Sequence, residues 1–295
     1  MSESLTTFIP AGGLGSRLLP HTLEVPKPLL LMGAPYRRII DGPLAICTEP
    51  SERIWVSTDY MADQIEEYLA GQQKITTIRD SGTLGSGGSL IEHYEQFSEL
   101  ESDGNLLVLP SDHIYDGDFS IEKYLAVHRQ SGADMTLMTV PQKSYGEYLK
   151  VDGELALGIE KVPSAHDVST TGTYMFRNKY ILDVLQRLRR SNETSLNIYK
   201  DIVCPAVGST TVSHFFVGAG EGFWEDTGTL KRYLRSNMRL SGNRNVIDSR
   251  AEIAEEAVLN RCVVLANAAL GEEYDIKDSI VTASNDGSVH VTCVA

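Results

Sequence analysis

Near its amino end the chain reads Phe8-Ile9-Pro10-Ala11-Gly12-Gly13-Leu14-Gly15-Ser16-Arg17-Leu18, and Pro26-Lys27-Pro28 follows a short way further on. The apolar start predicts a β-strand. The glycines predict a loop whose backbone N–H groups approach a ligand, because glycine carries no Cβ. Successive N–H groups in such a loop form a concave anion site, and a helix N-terminus beyond it would add partial positive charge. With the full charges of Arg17 and Lys27, this stretch predicts a nucleotide site in an α/β protein.

Other interpretations of this loop are weaker. The dinucleotide fingerprint needs a third glycine where the chain has Leu18, and a P-loop needs a Gly-Lys pair, which the chain lacks. A plain structural turn would account for the glycines. It would not account for Arg17 and the Pro26-Lys27-Pro28 segment, so nucleotide binding is the better prediction.

The composition excludes several classes of partner. The 295 residues include 26 Lys and Arg against 40 Asp and Glu, which gives a formal net charge of −14. So acidic a chain is not expected to bind nucleic acid or an anionic membrane surface. Hydrophobic residues make up 42%, which is enough for a buried core. An acidic protein that handles phosphates must concentrate positive charge locally or recruit a cation, and this requirement favours Mg²⁺.

The cysteines and the amino end indicate the compartment. The four cysteines are widely scattered and form no C-x-x-C pair; they are Cys47, Cys204, Cys262 and Cys293. Such usage is typical of reduced thiols in a cytosolic protein rather than of a zinc site. The amino end lacks the basic start and long apolar run of a signal peptide, and no stretch approaches the roughly 20 apolar residues of a membrane span. We therefore expect a cytoplasmic protein without membrane segments.

Short β-rich runs alternate with helical patterns through most of the chain. This rhythm predicts doubly wound α/β layers around a mixed, mostly parallel, Rossmann-like sheet. Ser89 to Phe97 is a predicted helix, and Asn105 to Leu109 is an apolar run typical of a strand buried on both faces. Ligands of such a sheet bind beyond the carboxyl ends of the strands. Residues 10–17 and Pro110 to His113 follow apolar runs in this way, so they are the candidate site.

The carboxyl end has a different pattern. Small apolar residues recur there at intervals of about six, at Ala251, Ala257, Val263, Ala269 and, after a slip of one, Ile276. This rhythm resembles the hexapeptide repeat of a left-handed β-helix. A pair of antiparallel strands is the alternative. A stub of this size is not expected to be stable alone, so it should pack on the main domain or on a second subunit, and we expect a homo-oligomer, with a dimer through this segment as one form.

The compound pattern G-G-x-G-[ST]-R-L with P-K-P beyond it is present at Gly12 to Leu18 and Pro26 to Pro28. It resembles the signature of the sugar-phosphate nucleotidylyltransferases. Further blocks resemble this family in the expected order over residues 6–240: Leu84-Gly85-Ser86-Gly87-Gly88, Ser111-Asp112-His113, Tyr145-Gly146, Glu160-Lys161, Thr171-Gly172 and Trp224-Glu225-Asp226-Thr227-Gly228. Two departures are Val162, inserted after Lys161, and His113, which stands where the family usually has an apolar residue and to which we assign no role.

The resemblance implies a domain division and a role for each block. Residues 1–240 would be the nucleotidyltransferase catalytic domain and residues 241–295 the short β-helix-like appendage. The expected catalytic residues are Arg17, Lys27 and Asp112. The expected nucleotide contacts are Ala11, Gly12, Gly13, Leu14, Gly15, Ser16, Arg17, Arg79, Leu84, Gly85 and Ser86. The expected sugar-phosphate contacts are Ser111, Tyr145, Gly146, Glu160, Lys161, Thr171 and Gly172.

By the same resemblance Asp112 and Asp226 are the protein ligands of Mg²⁺. This ion takes hard oxygen ligands, usually one or two carboxylates with phosphates and water. The implied reaction is that of a nucleoside triphosphate with a sugar 1-phosphate, or a similar cyclitol phosphate, to give an NDP-sugar and pyrophosphate.

Two alternatives to this function remain open. One is a non-catalytic relative that senses NDP-sugars, and the other is a nucleotide-sugar-dependent glycosyltransferase on a similar fold. The sequence leaves the sugar and the base open. The Gly87-Gly88 pair resembles that of guanylyl-transferring members and favours GTP.

Overall fold

The computed structural model describes residues 4–82, 85–143, 147–165, 167–190, 195–208, 211–218 and 222–294. The strands of the first 240 residues are β1 (Leu5–Pro10), β2 (Arg53–Thr58), β3 (Ile75–Arg79), β4 (Asn105–Val108), β5 (His113–Asp116), β6 (Met135–Val140), β7 (Tyr148–Asp152), β8 (Leu155–Glu160), β9 (Ser169–Arg177), β10 (Val212–Phe216) and β11 (Phe223–Asp226). The helices are α1 (Asp41–Cys47), α2 (Ala62–Leu69), α3 (Gly88–Glu92), α4 (Tyr94–Phe97), α5 (Ile121–Ser131), α6 (Asn178–Arg190), α7 (Cys204–Ala206) and α8 (Leu230–Leu240). Short 3₁₀ turns lie at Ser16–Leu18 and Lys27–Leu29, and a π-helical segment lies at Ile198–Val203.

Within the described residues, nine strands form the central sheet in the order β3-β2-β1-β4-β9-β6-β10-β8-β7. Strands β1 to β4 are parallel to one another, and β10 is parallel to β6. Strand β9 runs antiparallel between β4 and β6, and β8 and β7 form an antiparallel edge. The predicted fold class, a mixed and mostly parallel α/β sheet, is confirmed.

The strands at the centre of the sheet are buried on both faces. Along β4 and just beyond it, Leu106 and Val108 pack into one apolar cluster, whereas Leu107 and Leu109 pack into a second one. All four side chains are at most 1% exposed. This alternation is the period of two that a strand imposes on its side chains. A helical layer on each face covers such a sheet, as the apolar run predicted.

One predicted helix is broken in the structure. Instead of a single helix from Ser89 to Phe97, α3 and α4 are separated at His93. The ring of His93 contacts the carboxylate of Asp80, with 3.1 Å between Nε2 and Oδ1. The apolar spacing that predicted one helix carries no information about this contact, which links the helix break at His93 to Asp80, directly after β3.

The carboxyl-terminal residues form a short β-helix-like coil. Its strands are β12 (Val246–Ile247), β13 (Glu252–Ile253), β14 (Val258–Asn260), β15 (Val263–Val264), β16 (Ala269–Leu270), β17 (Asp275–Lys277), β18 (Ser279–Ala283) and β19 (Val289–Cys293). Strand β12 pairs in parallel with β15, β13 with β16 and β14 with β17, so three small faces stack coil upon coil. The last two strands, β18 and β19, are antiparallel. Both structures considered for this segment, the β-helix coil and the antiparallel strand pair, are therefore present.

The rhythm read from the sequence has about the right length, but it is out of phase with the coil interior at Val263, which packs on the main domain, and at Ala269. Ala269 is exposed, whereas Leu270 beside it is only 2% exposed and lies in the interior of the coil. The interior positions Leu270, Ile276 and Val281 are spaced by six and then five residues. A constant interval of six drifts out of phase with such a coil.

The coil packs on the main domain. Val246, Val263 and Ile280 share one apolar cluster with residues of the main domain that include Leu30 and Tyr233. The division at residue 240 coincides with the end of α8, and it stays a prediction, as does the oligomer. Among the described helices, none has the length and apolarity that crossing a membrane requires.

A buried histidine joins the two parts and makes their stability depend on pH. His21 is 2% exposed, and its Nε2 lies 2.9 Å from Thr292 Oγ1. Burial, and then the charge of His290, lower the pKa of His21 to about 4. The unfolded chain takes up this proton near pH 6.5, so the stabilisation is complete above that pH and is lost as the pH falls toward 4.

Between pH 7.5 and 5.5 this linkage should cost about 1.4 kcal/mol of unfolding free energy. Urea unfolding of the native protein and of a His21→Gln variant at both pH values measures it, because the glutamine does not titrate. The wild type should lose about 1.4 kcal/mol more than the variant does. An equal pH dependence of the two proteins would show that His21 does not carry the effect.

Candidate active site

The loop after β1 is shaped by one glycine in particular. Gly15 has a φ of 65°, in the left-handed region, and a Cβ placed on it would lie 3.0 Å from Cβ of Lys27. Glycine is therefore required both for the turn and for the close approach of the Lys27 segment. The expected helix beyond the loop is a single 3₁₀ turn, Ser16–Leu18, so its dipole adds little charge. The positive charge at this loop comes from Arg17 and Lys27 instead.

Asp112 and Asp226, which are far apart in the sequence, are brought together by a two-stranded β-ladder. Strand β11 runs antiparallel to β5, and Asp226 is paired with His113, the residue after Asp112. Beyond the ladder, Thr227 donates both its backbone N–H and its hydroxyl to the carbonyl oxygen of Asp112, each at 2.9 Å. Thr227 is fully buried. The backbone at Asp112 and the backbone after Asp226 are thereby held against each other.

Each carboxylate has a cation of its own. Lys27 Nζ lies 2.5 Å from Asp112 Oδ2, and Arg232 Nη2 lies 2.7 Å from Asp226 Oδ1. All four side chains are less than 20% exposed, so water screens these pairs weakly. Burial alone would raise the pKa of Asp112, but the charge of Lys27 and its hydrogen bond outweigh burial and hold that pKa well below its usual range. Asp112 is therefore an anion.

A cavity of about 790 Å³ opens beside this pair, at the carboxyl ends of β1 to β4. The structure brings the following predicted site residues together in its lining: Ala11, Gly12, Gly13, Gly15, Arg17, Lys27, Gly85, Ser86, Ser111, Asp112, Thr171, Gly172 and Asp226. The predicted residues Leu84, Tyr145 and Gly146 lie outside the described residues.

Five predicted residues lie outside the cavity lining. Leu14 and Ser16 are exposed on the glycine-rich loop. Arg79 is held by two carboxylates, with Nη2 2.5 Å from Asp63 Oδ1 and 2.6 Å from Glu66 Oε2. The remaining two are the exposed residues Glu160 and Lys161, at the end of β8. Their assignment to the substrates stays a prediction.

Several lining residues were missed by the sequence analysis. Asn197, Ile198 and Tyr199 enter the cavity because their segment packs on the Gly85 loop. A Cβ on Gly85 would lie 2.6 Å from the carbonyl oxygen of Leu196. Glycine is therefore required here because two backbone segments approach each other closely. The family resemblance had implied only a nucleotide contact for Gly85.

Arg232 was also missed, although a signal was available. Thr229 caps α8, and its hydroxyl oxygen accepts a hydrogen bond from the backbone N–H of Arg232. A threonine directly after the Asp226 motif thus predicts a helix start, and the first turn of that helix carries Arg232 back to the carboxylate.

A second layer of polar side chains lies behind the carboxylates. Trp224 donates its indole N–H to His113 Nδ1 at 3.1 Å. Lys143 Nζ lies 3.9 Å from the centre of the Trp224 ring and donates to the carbonyl oxygen of Thr170. Burial lowers the pKa of Lys143 to about 8, although the charge of Asp226 opposes the shift. Burial likewise lowers the pKa of His113 to about 4, against the charge of Asp112.

The donor set fits a hard divalent cation. Asp112 and Asp226 supply carboxylate oxygens at the edge of the cavity, and one or two carboxylates with phosphates and water are the usual ligands of Mg²⁺. Asp80, Glu92 and His93 form another group whose ligating atoms lie within 4.8 Å of one another. Their polar atoms already bond to one another or to neighbouring residues, since Asp80 contacts His93 and Glu92 accepts from the backbone of Ser81.

Comparisons with known proteins agree with this architecture. The glucose-1-phosphate adenylyltransferase of Shewanella amazonensis is 27% identical over an alignment of 282 residues that covers 81% of this chain and 64% of that protein. That of Bacillus licheniformis is 24% identical over 84% of this chain and 70% of its own length. The chain thus spans a little under two thirds of the length of the Shewanella protein.

Two solved structures share the fold. One is described as mannose-1-phosphate geranyltransferase from Thermus thermophilus, with a TM-score of 0.72, 18% identity and coverage of 98% of this chain and 95% of that one. The other is a putative glucose-1-phosphate thymidylyltransferase from Bacillus anthracis, with a TM-score of 0.67, 20% identity and coverage of 81% and 96%.

Residues 7–242 match the sequence profile described as Nucleotidyl transferase. This match covers most of the chain, including the glycine-rich loop, both carboxylates and the sheet that carries them. The chain therefore belongs to the nucleotidyl transferase family, and the resemblance to sugar-phosphate nucleotidylyltransferases is confirmed.

Proposed function

We propose that this protein is a sugar-1-phosphate nucleotidylyltransferase, which converts a nucleoside triphosphate and a sugar 1-phosphate into an NDP-sugar and pyrophosphate. The observation that carries the proposal is the meeting of Arg17, Lys27, Asp112 and Asp226 around one cavity large enough for two substrates. Family membership and the names of the relatives support it.

The reaction needs alignment more than it needs a protein nucleophile. An oxygen of the sugar phosphate attacks the α-phosphorus, a new phosphorus–oxygen bond forms, and the bond to the pyrophosphate leaving group breaks. The attacking oxygen is already an anion, so the protein must bring two polyanions together in line and offset their repulsion. In this chain Lys27 would meet the α-phosphate region, and Arg17 the charge that grows on pyrophosphate.

The two cations of the site can exchange their carboxylate partners for phosphate groups. The ammonium of Lys27 and the guanidinium of Arg232 are held by Asp112 and Asp226, at the edge of the cavity. A triphosphate entering there offers each cation a stronger anionic acceptor than a single carboxylate. Asp112 and Asp226 would then hold Mg²⁺, which in this position neutralises phosphate charge.

The second substrate would occupy the end of the cavity near Ser111, Thr171 and Gly172. We keep Glu160, Lys161, Tyr145 and Gly146 as proposed sugar-phosphate contacts on the family resemblance alone. The names of the relatives include both adenylyl and thymidylyl transfer, so a test of the function must cover several bases and several sugars.

A pyrophosphate-release screen tests the proposed function. ATP, GTP, UTP, CTP and dTTP are each combined with glucose 1-phosphate, mannose 1-phosphate and other sugar 1-phosphates in the presence of Mg²⁺. At least one pair should release pyrophosphate in step with NDP-sugar formation. Nucleotide binding without release from any pair would favour a sensor, and transfer from an NDP-sugar to an acceptor would favour a glycosyltransferase.

Replacing one carboxylate should abolish most of the turnover. Asp112→Asn removes the negative charge but keeps the backbone carbonyl that Thr227 binds, so the fold should survive. We expect kcat to fall by about 100-fold or more, by analogy with the loss of transition-state charge stabilisation. Asp116→Asn is the matched control, because Asp116 is half exposed and contacts Arg239. Similar rates for the two variants would refute the role of Asp112.

A single methyl group added at Gly228 should displace Arg17 of the glycine-rich loop. A Cβ on Gly228 would lie 2.9 Å from both Arg17 Nη2 and Asp226 Oδ1, so Gly228→Ala should displace these groups. We expect kcat/KM to fall at least about tenfold, because such a displacement disturbs the aligned charges. Gly158→Ala is the control, since no atom lies within 4 Å of its added Cβ. Unchanged kcat/KM in Gly228→Ala would contradict the assigned position of Arg17 in the reaction.

A further inference from the structure

His113 has an environment that fixes the position of its proton. The side chain is almost fully buried, and its Nδ1 lies 3.1 Å from Trp224 Nε1, 3.3 Å from the Tyr115 hydroxyl and 3.3 Å from Thr173 Oγ1. The two hydroxyls also contact each other at 3.1 Å. One edge of the imidazole is therefore fully engaged in the protein interior.

The indole of Trp224 decides the tautomer. An indole N–H is a donor only, so His113 Nδ1 must accept from it. A neutral imidazole that accepts at Nδ1 carries its proton on Nε2. The ring of Trp224 is itself held edge to face against His113, with 5.0 Å between the ring centres, so the pairing is geometrically restrained.

The protonated edge of His113 lies toward Asp112, which lines the same cavity. Nε2 lies 3.9 Å from Asp112 Oδ1, which is too long for a hydrogen bond. Among the contacts of the described residues, none gives Nε2 a hydrogen-bond acceptor. His113 lines the cavity beside Gly172, where a Cβ would lie 3.7 Å from His113 Cε1. The ring thus offers one neutral, preset N–H donor between Asp112 and the wall at Gly172.

We propose that His113 Nε2–H donates a hydrogen bond to a phosphate oxygen of the sugar 1-phosphate, and that Trp224 is the positioning residue that holds this tautomer. The inference rests on the proposed function. A neutral donor suits this place, because a cation there would compete with Lys27 and with a divalent ion for the charge of Asp112. In the proposed reaction the sugar phosphate occupies the Gly172 end of the cavity, so the attacking phosphate oxygen would approach Asp112 past His113 Nε2.

Two substitutions of His113 distinguish the role of its Nδ1 acceptor from that of its Nε2 donor. The amide of Asn replaces the Nδ1 edge of a histidine, so His113→Asn keeps an acceptor for Trp224 and loses the donor at Nε2. The longer Gln side chain reaches the Nε2 position, so His113→Gln keeps a donor there. In the pyrophosphate-release assay with glucose 1-phosphate or mannose 1-phosphate, whichever reacts faster, His113→Asn should raise the KM for the sugar phosphate about tenfold, the worth of one hydrogen bond. The KM for the nucleotide should stay within about twofold in both variants, and His113→Gln should restore most of the loss.

Nitrogen-15 NMR of the imidazole tests the donor without turnover. In the wild type at neutral pH, His113 should show a bare Nδ1 and a protonated Nε2, and inorganic phosphate as the probe should shift the Nε2–H resonance. Trp224→Phe keeps an aromatic ring but removes the indole donor, so both tautomers should then appear.

The results separate this inference from the proposed function. A proton on Nδ1 in the wild type, an Nε2–H resonance unmoved by phosphate, or an unchanged sugar-phosphate KM in His113→Asn would each overturn the inference in an active enzyme. Failure of the wild type to release pyrophosphate, together with the expected NMR shifts, would refute the proposed reaction but leave the phosphate-binding donor in place.

Discussion

The candidate site depends on two hydrogen bonds that Thr227 donates to the carbonyl oxygen of Asp112. These residues are 115 positions apart in the sequence, and the bonds join the end of β11 to the start of β5. Thr227 is fully buried, and a buried donor left without an acceptor would cost about 1–3 kcal/mol. The two bonds fix the backbone of one carboxylate relative to the other. Every role proposed for the pair requires that spacing.

Charge balance is the second constraint on this arrangement. Two carboxylates held in one partly buried place repel each other, and the protein as a whole carries a net charge of −14. Lys27 and Arg232 offset the repulsion by pairing with one carboxylate each. In the proposed reaction a divalent cation would bind the two carboxylates. The triphosphate would then supply anions for the Lys27 and Arg232 side chains that the carboxylates release. An acidic protein can thus maintain a phosphate site without an exposed basic surface.

Much of the fold could be predicted from the sequence because its signals are local. The run from Asn105 to Leu109 predicted a strand buried on both faces, and Leu106 and Leu107 lie in opposite cores. Local patterns failed where tertiary contacts decide. No pattern along the chain indicated that Arg79 would be held by Asp63 and Glu66 or that Ala269 would point outward.

The site was predictable to the extent that its residues sit in continuous motifs. Gly12, Arg17 and Asp112 follow strands, and the structure places them in one cavity. The segment that begins at Asn197 joins that cavity only through its packing on another loop, which no spacing along the chain reveals. His113 was visible in the sequence, but its orientation depends on Trp224, far along the chain.

In the proposed site Asp112 and Asp226 share one divalent cation beside the nucleotide. The most direct test is a crystal grown with Mn²⁺ and a non-hydrolysable nucleoside triphosphate, with the metal located by its anomalous scattering. We expect a metal peak with a carboxylate oxygen of each aspartate about 2.1 Å away, together with phosphate oxygens. A peak that lies instead at Asp80, Glu92 and His93, with Lys27 still bound to Asp112, would contradict the proposed site.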